Sequence, residues 1–422
     1  MQELSGTRRV ARGLIHLPCA LLLSLVVAGV ARADGPRPLL ASGHPVQWWF
    51  VFKLNSGKFP GCGAHATRAC PFGGTVQPYT SFGQQYIFAS DESPQLQPGA
   101  GCVGDTSTDP VGATYDEIYS GTYHYVVWND QFYQDPALES CSGDSCSAPW
   151  GHSKGMLAWD NAGEGLVLQV TTPSWPGAGS RTHRRENDDN TLGCVLNNNV
   201  KFSQHFFALT LTHEDLIAVL KALSNASVVT DPGNPQIVSN GGPEDIKALV
   251  SILGKKTSST TATITTLSTQ VRLISKPSAL HVPPWQLVSS LLGAVPLRTA
   301  TWWGTPQIPT TTPGASIDCW DDALASPGPV QISTTGLWNG KTIGLTAGPA
   351  ADANHAKIGV STDGTSSLAI FGDMNQQGAV TGNAKACGRS QNGRGGLFFV
   401  VQDAQLSASV ADLIRGGTAP SE

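Results

Sequence analysis

The sequence predicts an α/β fold built from two similar halves. Three observations support this: the length, the mixture of strand-like and helix-like runs, and an internal repeat. Without its first 33 residues the 422-residue chain retains roughly 390, more than one hydrophobic core usually serves. Glycine (47) and proline (28) are frequent and only 14% of residues are charged, a composition typical of a loop-rich protein rather than a disordered one.

Strand-like and helix-like runs follow one another along the chain. The predicted strand regions are 47–54, 122–128, 155–159, 166–171, 261–274 and 367–371. Three helices have clear start signals, with Thr212 capping a run to Leu223, Pro243 opening a run to 253, and Pro284 preceding a run to 294. Residues 231–242 are rich in proline, glycine and asparagine, and we expect them to link the two halves.

The internal repeat is a His-x-Lys triplet that occurs twice, at His152–Lys154 and at His355–Lys357. An aspartate follows each lysine by six residues, Asp160 in the first copy and Asp363 in the second. Each copy reads as a strand, a turn at the aspartate and a returning strand, and period-two alternation places the His and the Lys on one face. The aspartates suit either turn chemistry or support of a site.

The two predicted hairpins return different residues beside their His–Lys pairs. Residues 372–375, Gly-Asp-Met-Asn, come back beside the second pair and bring Asp373 and Asn375. The matching stretch of the first hairpin is expected to be 171–174, Thr-Thr-Pro-Ser, which has no amide. The halves are therefore expected to be alike but not interchangeable.

Residues 1–33 have the pattern of a signal peptide. Arg8, Arg9 and Arg12 precede an apolar run, and Ala-Arg-Ala at 31–33 has the small-x-small form of a cleavage site. The apolar run is shorter than the roughly 18 residues of a membrane span. We therefore expect a secreted or periplasmic protein without stable membrane association.

The cysteine content fits export to an oxidising compartment. Of nine cysteines, Cys19 lies in the signal segment, and the remaining eight suit disulfides. Cys62 with Cys70, and Cys141 with Cys146, are close enough in sequence for local pairs, while the other pairings stay open. No second CxxC pair or histidine cluster has zinc spacing, so no metal or other cofactor is expected.

The net charge excludes a broadly basic surface for nucleic acid. Residues 1–33 carry a net charge of +3, so the remainder of a chain of net charge −5 carries −8. A polyanion must therefore bind at a local cluster of basic residues. The one concentrated basic stretch of the sequence contains Arg181, Arg184 and Arg185. At acidic pH the carboxylates neutralise and the histidines become charged, which favours phosphate binding.

The duplicated His-x-Lys triplet, with a downstream Asp and a Gly-x-x-Asn, resembles the phospholipase D superfamily. The sequence is similar in finer detail to deoxyribonuclease II. The segments that carry this resemblance are Gln47–Leu54, Trp128–Gln131, Gly151–Gly155, Asn354–Lys357, Gly372–Asn375 and Arg394-Gly-Gly. They keep the family's order across nearly the whole chain after residue 33, apart from about 50 residues around 220–270. Asp373 stands where the general superfamily pattern has Ser, and the Lys-to-Asp gap is one residue longer.

The resemblance implies two phospholipase D-like halves, each a mixed β-sheet flanked by helices, related by a pseudo-twofold axis with one active site between them. The expected boundaries are a signal peptide 1–33, a first half 34–230, a linker 231–242, a second half 243–415 and a tail 416–422. It also implies metal-independent cleavage of DNA at acidic pH through a phosphohistidine, leaving 3′-phosphate ends.

The residues themselves suit phosphodiester hydrolysis. One imidazole attacks phosphorus, the other donates a proton to the leaving oxygen, and two lysines stabilise the non-bridging oxygens. The predicted catalytic residues are His152, Lys154, His355, Lys357 and Asn375, with Asp373, Asn129, Asp160 and Asp363 as supporting candidates. Trp48, Trp49, Trp302 and Trp303 are expected to be packing residues.

DNA is the expected substrate, and a homodimer is left open. Two other functions also stay open at this point. One is a phosphodiesterase that acts on phospholipid or another diester, and the other is an inactive binding protein on the same fold. Which histidine attacks is also open from the sequence.

Overall fold

Two large β-sheets carry the fold. The computed structural model describes residues 35–59, 85–104, 107–132, 138, 141–142, 145–146, 150–172 and 201–421. Within these residues the strands are β1 Leu39–Ala41, β2 His44–Pro45, β3 Trp48–Lys53, β4 Tyr86–Ser90, β5 Gln97–Pro98, β6 His124–Asn129, β7 Cys141–Ser142, β8 Ser145–Cys146, β9 Lys154–Trp159, β10 Gly165–Val170, β11 Gln204–Leu211, β12 Val238–Ser239, β13 Thr263–Thr266, β14 Arg272–Lys276, β15 Leu297–Ala300, β16 Val330–Ile332, β17 Thr335–Trp338, β18 Lys341–Gly344, β19 Ile358–Ser361, β20 Leu368–Gly372 and β21 Gly396–Gln402. The helices are α1 Pro110–Ser120, α2 His213–Asn225, α3 Glu244–Ser251, α4 Pro284–Leu291, α5 Ala384–Cys387 and α6 Ala404–Leu413, with a 3₁₀ turn at Ser390–Gly393. The predicted α/β class is confirmed.

The first sheet has the strand order β12-β6-β9-β10-β11-β3-β4-β5, and the second has β13-β14-β21-β20-β19-β15-β16. All described pairs of the first sheet are antiparallel. The second sheet is mixed, because β15 runs parallel to β16. The expectation of a mixed sheet in each half therefore holds only for the second. Strand β12 lies within the predicted linker 231–242 and pairs with β6 of the first sheet.

The two sheets share one topology. In the first, β3, α1, β6, β9, β10, β11 and α2 follow in chain order, and in the second β14, α4, β15, β19, β20, β21 and α6 do so. The central strand order is β6-β9-β10-β11-β3 in one sheet and β15-β19-β20-β21-β14 in the other. This is the arrangement that a pseudo-twofold axis produces. The domain boundaries themselves stay predictions.

The core between the sheets is aromatic. Phe50 on β3 stacks on Phe371 on β20 with ring centroids 4.2 Å apart, and Phe207 on β11 stacks on the same ring at 4.9 Å. Phe399 on β21 extends the cluster with a 5.4 Å contact to Phe207. Residues of both sheets belong to one continuous hydrophobic core. Such contacts fix the sheets against each other, because aromatic pairs have preferred geometries and bury large areas.

The helix start signals are confirmed. Thr212 caps α2, where its side chain accepts from the Asp215 N–H and the Asp215 side chain accepts from the Thr212 N–H. Pro243 is the N-cap of α3, and Pro284 is the first residue of α4. Helix α4 ends at Leu291 rather than near 294, because Gly293 takes a positive φ of 89° that terminates it.

One predicted strand is wrong. Residues 261–274 do not form a single strand but the hairpin β13–β14. The Leu267 N–H donates to the Val271 carbonyl at 2.9 Å and closes the turn, in which Gln270 adopts a φ of 65°. Four residues of β13 are exposed, so no buried face continues through the run and the chain is free to reverse.

Cysteine pairing was largely open in the sequence. The structure contains a disulfide between Cys319 and Cys387, which are 68 residues apart, and Cys102 is also disulfide-bonded. The backbone pairing of β7 with β8 places Cys141 directly opposite Cys146. The candidate pair Cys62 and Cys70, and the predicted signal segment 1–33, lie outside the described residues.

Candidate active site

Each His-x-Lys segment is held by the opposite half of the molecule. The His152 N–H donates to the Gly395 carbonyl at 2.9 Å, and the Gly395 N–H donates to the Trp150 carbonyl at 2.7 Å. In the second copy the His355 N–H donates to the Ser203 carbonyl at 2.7 Å, and the Ser203 N–H donates to Ala353 at 3.0 Å. These matched bridges bring both triplets to the ends of β11 and β21. Because these backbone groups bond across the halves, regular strand begins only at Lys154 and at Ile358.

Gly395 permits the first of these bridges. A Cβ at this position would lie 2.2 Å from the Ala226 carbonyl oxygen and 2.9 Å from that of Lys276. A side chain there would therefore push β21 away from the His152 segment. This close approach gives a physical reason for the Arg394-Gly-Gly sequence.

His152 is buried and oriented by its own hydrogen bond. Its Nδ1 lies 2.7 Å from the backbone carbonyl of Asp373, which can only accept, so Nδ1 carries the proton and Nε2 keeps its lone pair. Burial lowers the pKa of His152 well below its usual range, Asp130 acts in the opposite direction, and nearby cations lower the pKa further.

Lys154 forms a buried ion pair that the sequence did not reveal. Its Nζ donates to Asp130 Oδ1 at 2.6 Å, and both side chains are only 3% exposed. The Arg394 guanidinium lies 3.5 Å from the other oxygen of Asp130. Although burial favours protonation, Lys154, His152 and Arg394 outweigh it and hold the pKa of Asp130 well below its usual range.

Lys357 has a different environment. In the part of the chain that the structure describes, no carboxylate lies within ion-pair distance of its ammonium group. Burial, reinforced by Lys154, lowers the pKa of Lys357 to about 7, against the opposing effects of Asp130 and Asp373. The two lysines of the repeat are therefore unequal, because one is neutralised by a carboxylate and the other is a buried cation close to its titration point.

Asp373 is a buried carboxyl group beside both lysines. Its Oδ2 accepts from the Leu397 N–H at 3.0 Å, while Oδ1 has no hydrogen-bond partner among the described atoms. Burial raises the pKa of Asp373 to about 7, although hydrogen bonds from Ser153 and Leu397 and the charges of Lys154 and Lys357 oppose the shift. Asp373 and Lys357 thus titrate in the same pH range.

His355 is surrounded by aromatic rings and cations. Phe202 stacks on its imidazole at a centroid distance of 5.1 Å, and Trp302 meets it edge-on at 4.3 Å. Burial lowers the pKa of His355 well below its usual range, and Lys357, Lys154, His152 and Lys53 all act in the same direction. Trp302, expected to be a packing residue, therefore packs at the site, whereas Trp48 and Trp49 are core residues.

His205 supports the second triplet from inside the core. Its Nδ1 accepts from the Lys357 backbone N–H at 3.1 Å, which places the ring proton on Nε2, 3.4 Å from Gln169 Oε1. Burial, and next the charge of Lys357, lower the pKa of His205 well below its usual range, so the ring is neutral. Asn354 adds a local turn, since its Oδ1 accepts from the Ala356 N–H at 2.9 Å.

The register corrects the expected match between the hairpins. Gly372 pairs with Lys357, because its N–H donates to the Lys357 carbonyl at 2.9 Å. In the first hairpin Gln169 lies opposite Gly155, so Thr171 matches Asp373, not Gly372. The hydrogen bonds agree, since Thr171 Oγ1 accepts from His205 N–H as Asp373 accepts from Leu397 N–H. In sequence, the corrected matching stretch 170–173, Val-Thr-Thr-Pro, still contains no amide side chain.

The remaining predicted residues fall into two groups. Asn375 is 6% exposed, its Nδ2 donates to Gln377 Oε1 at 2.8 Å, and its Oδ1 has no partner among the described atoms. Asn129 is buried opposite Lys154 and its Oδ1 accepts from the Gln131 N–H at 2.7 Å. It is the next residue, Asp130, that reaches Lys154.

Asp160 and Asp363 lie at the far ends of the hairpins from the His–Lys pairs. The carboxylate of Asp160 accepts from the backbone N–H groups of Ala162 and Glu164, and that of Asp363 accepts from those of Thr365 and Ser366. Hydrogen bonds, led by that from Ser366, lower the pKa of Asp363 to about 2. The structure thus gives both residues a turn role. Arg181, Arg184 and Arg185 lie outside the described residues.

Several residues near the site were not assigned a role from the sequence: Lys53, Asp130, Ser153, His205 and Arg394. Three had a signal, because Lys53 interrupts an apolar run, Asp130 follows Asn129, and Arg394 precedes the two glycines. Lys53 is buried and its Nζ donates to the Phe202 carbonyl at 2.6 Å. No sequence pattern indicated a role for His205, which lies in the mostly apolar and buried strand β11.

Two further properties of the described residues concern a metal site and a membrane-spanning helix. Among them, no three His, Cys, Asp or Glu side chains are grouped as metal ligands. No helix within the same ranges has the length and apolarity needed to cross a bilayer.

Comparisons with known proteins agree on one family. The sequence model of the deoxyribonuclease II family matches residues 38–308. Deoxyribonuclease-2-alpha of Sus scrofa is 29% identical over 137 residues, which cover 32% of this chain and 31% of that protein. Deoxyribonuclease-2-alpha of Rattus norvegicus is 30% identical over 142 residues, or 33% and 34% of the two chains. The aligned stretch thus spans about a third of the length of these curated relatives.

Proposed function

Because the chain belongs to the deoxyribonuclease II family, we propose that it is an exported acid endodeoxyribonuclease that hydrolyses DNA without a metal ion. One observation carries the proposal. His152 with Lys154, and His355 with Lys357, are brought together by matched bridges between two pseudo-symmetric halves. Their charges are close enough for each triplet to perturb the pKa of the other's histidine.

The two histidines differ in charge environment, which suggests different roles. Burial and the charges of Lys357, Lys154, His152 and Lys53 all disfavour protonation of His355, so its imidazole is the better nucleophile. His152 has Asp130 nearby, and this carboxylate favours the imidazolium form. We therefore assign attack on phosphorus to His355 and proton donation to His152.

The reaction then proceeds in two displacements. The lone pair of neutral His355 forms a bond to phosphorus while the bond from phosphorus to the 5′-oxygen breaks, and protonated His152 gives its Nε2 proton to that oxygen. Water next attacks the phosphohistidine, its proton passes to His152, and the phosphorus–nitrogen bond breaks to release a 3′-phosphate. Lys357, Lys154 and the amide of Asn375 stabilise the charge on the non-bridging oxygens.

The buried titrating groups favour activity at acidic pH. Lys357 and Asp373 both have a pKa of about 7, so lowering the pH from 8 to 5 makes the first cationic and the second neutral. Each change makes the site more positive and therefore more attractive to a phosphodiester. The proton donor His152 also has a lowered pKa, so its active form is populated only in acid.

Export to an extracellular or periplasmic compartment completes the proposal. It is supported by the signal-peptide pattern at 1–33 and by the Cys319–Cys387 disulfide, because disulfides persist in oxidising compartments. DNA is the proposed substrate on the strength of family membership and the cationic site.

The direct test uses purified protein with residues 1–33 removed, incubated with plasmid DNA at pH 5 in excess EDTA. We expect nicking and fragmentation, with 3′-phosphate ends that block extension by a polymerase until a phosphatase removes them. DNA that stays intact in EDTA but is cut after magnesium is added would disprove the metal-free mechanism. Hydrolysis of phospholipid head groups with no cleavage of DNA would assign the site to another diester.

A further inference from the structure

A cavity of about 350 Å³ lies beside the active site on the side of the second half. Trp150, Lys256, Ser278, His281 and Arg394 are among its lining residues. Trp150 lies two residues before His152, and Arg394 contacts Asp130, the partner of Lys154. Two residues that line the cavity, Trp150 and Arg394, are therefore also neighbours of the proposed catalytic residues.

Two buried donors in this wall have no protein partner. The Ser278 side chain is 2% exposed, and its Oγ makes no hydrogen bond to any described residue. The indole Nε1 of Trp150 is likewise buried without a partner among these residues. Unpaired buried donors cost about 1–3 kcal/mol each, so they are rare unless a ligand or water completes them.

The pseudo-symmetric position in the first half differs. Lys53 and Lys276 end the equivalent strands β3 and β14, so Asn55 is the counterpart of Ser278. Asn55 is fully bonded, since its Nδ2 donates to Ser203 Oγ and its Oδ1 accepts from the Lys58 N–H. The unpaired hydroxyl is thus a feature of the second half and not a consequence of the shared fold.

The cavity also carries positive charge. Lys256 and His281 are exposed at its rim, and Arg394 contributes a partly exposed guanidinium. Behind the wall, the buried ammonium of Lys276 donates to the carbonyls of Asn392 and Arg394 at 2.8 Å. Desolvation, and then the charges of Lys276 and Lys256, lower the pKa of His281, and among the described residues no carboxylate acts against them.

We propose that this cavity binds a backbone phosphate of the same DNA strand, next to the phosphodiester that is cleaved. Lys256, His281 and Arg394 balance its charge, and Ser278 and Trp150 turn their covered donors, Oγ and Nε1, toward its oxygens when it binds. Arg394 shares its charge between this phosphate and Asp130, so it also couples the subsite to Lys154. The proposal rests on the proposed nuclease function and adds a second anchoring point for the strand.

The test compares Lys256→Gln and Ser278→Ala with the control Lys255→Gln, which removes the neighbouring exposed lysine that does not line the cavity. Each variant is assayed at pH 5 with a 12-nucleotide duplex and with bis(p-nitrophenyl) phosphate, a diester without flanking phosphates. We expect Lys256→Gln and Ser278→Ala to raise KM for the duplex by roughly three- to tenfold, as loss of one charge-assisted hydrogen bond predicts. Hydrolysis of the small diester, kcat on the duplex and the control should not change.

A binding measurement supplies a readout that does not depend on turnover. Anisotropy of a labelled duplex with the non-cleaving His152→Ala protein gives the salt dependence of affinity. Adding Lys256→Gln should reduce the slope of log K against log salt by about 0.9, because one phosphate contact is lost. Ser278→Ala should weaken binding without changing that slope, since a neutral hydroxyl releases no counterion.

Distinct outcomes separate failure of the subsite from failure of the proposed function. Equal effects of Lys256→Gln and Lys255→Gln would show a general charge effect and overturn the subsite, even if DNA is cleaved. Saturable binding of inorganic phosphate that Ser278→Ala abolishes, with an unchanged KM for the duplex, would assign the cavity to free phosphate. Absence of DNA cleavage by the unmodified protein would overturn the nuclease function, while the anisotropy experiment would still report on strand binding.

Discussion

Replacing Asp130 with asparagine tests most directly the different roles proposed for His152 and His355. The substitution keeps the shape of the side chain but removes the charge that favours protonated His152. We take as a magnitude the interaction of two charges ~7 Å apart at an effective dielectric constant of about 20, which is about 2 kcal/mol. This corresponds to a fall of about 1.5 in the pKa of His152.

If His152 donates the proton, the alkaline limb of kcat/KM moves to lower pH by about the same amount. The assay is the cleavage of a fluorescent oligonucleotide duplex between pH 3.5 and 7.5. The pKa of Asp130 is depressed in the folded protein, so its contribution to stability is fully present above its unfolded pKa of about 3.9 and is lost as the pH falls through the lower folded pKa. The carboxylate of the folded, unmodified protein therefore stays charged throughout the assay range.

Asp130→Asn also leaves the buried ammonium of Lys154 without its carboxylate. Breaking such a pair costs about 3–5 kcal/mol, so thermal unfolding must be followed at each pH to restrict the profile to folded protein. Asp160→Asn is the matched control, because it changes a carboxylate on the same sheet at a hairpin turn and should leave the profile in place. A folded Asp130→Asn protein whose alkaline limb does not move would refute the assignment of His152 as the acid.

Other substitutions test the remaining steps. His152→Ala and His355→Ala should each reduce turnover by several orders of magnitude without unfolding the protein, and near-normal activity in either would make that half a scaffold. Acid-quenched reactions should yield phosphate on His355, and label on His152 would reverse the roles. Asn375→Ala should lower kcat by about 100-fold or more with little change in DNA affinity, because its amide acts on developing charge; a change in KM alone would contradict this. Replacing Cys319 and Cys387 with serine should cost about 4 kcal/mol of unfolding free energy for a loop of 68 residues, measured by chemical denaturation, with activity retained at 25 °C.

The sequence predicted the parts of the fold that local patterns specify. The cap at Thr212 and the proline at 284 predicted two helix starts, and short apolar runs predicted β9, β10 and β20. The run at 261–274 was misread because threonine has high strand propensity in both arms of a hairpin and in its turn. Propensity does not show where an exposed ribbon reverses.

The site was predictable where it repeats and not where it is asymmetric. The duplicated triplet identified both His–Lys pairs, but nothing in it shows that Lys154 has a carboxylate partner and Lys357 does not. That difference depends on Asp130, which follows β6. The equivalent position in the second half, after β15, is occupied by Trp302. Such pairing comes from sheet register between distant strands, which a single sequence does not reveal.

The bridges that hold His152 to Gly395 and His355 to Ser203 also determine when the site can exist. Each histidine is held by the residue next to a strand of the other half, and β21 follows both triplets along the chain. A nascent chain that ends before Gly395 lacks the carbonyl that holds His152, although it can already contain the second triplet. Under the proposed nuclease function, partly synthesised chains should therefore leave DNA intact without any separate inhibitor, because the site is assembled only when the fold is completed.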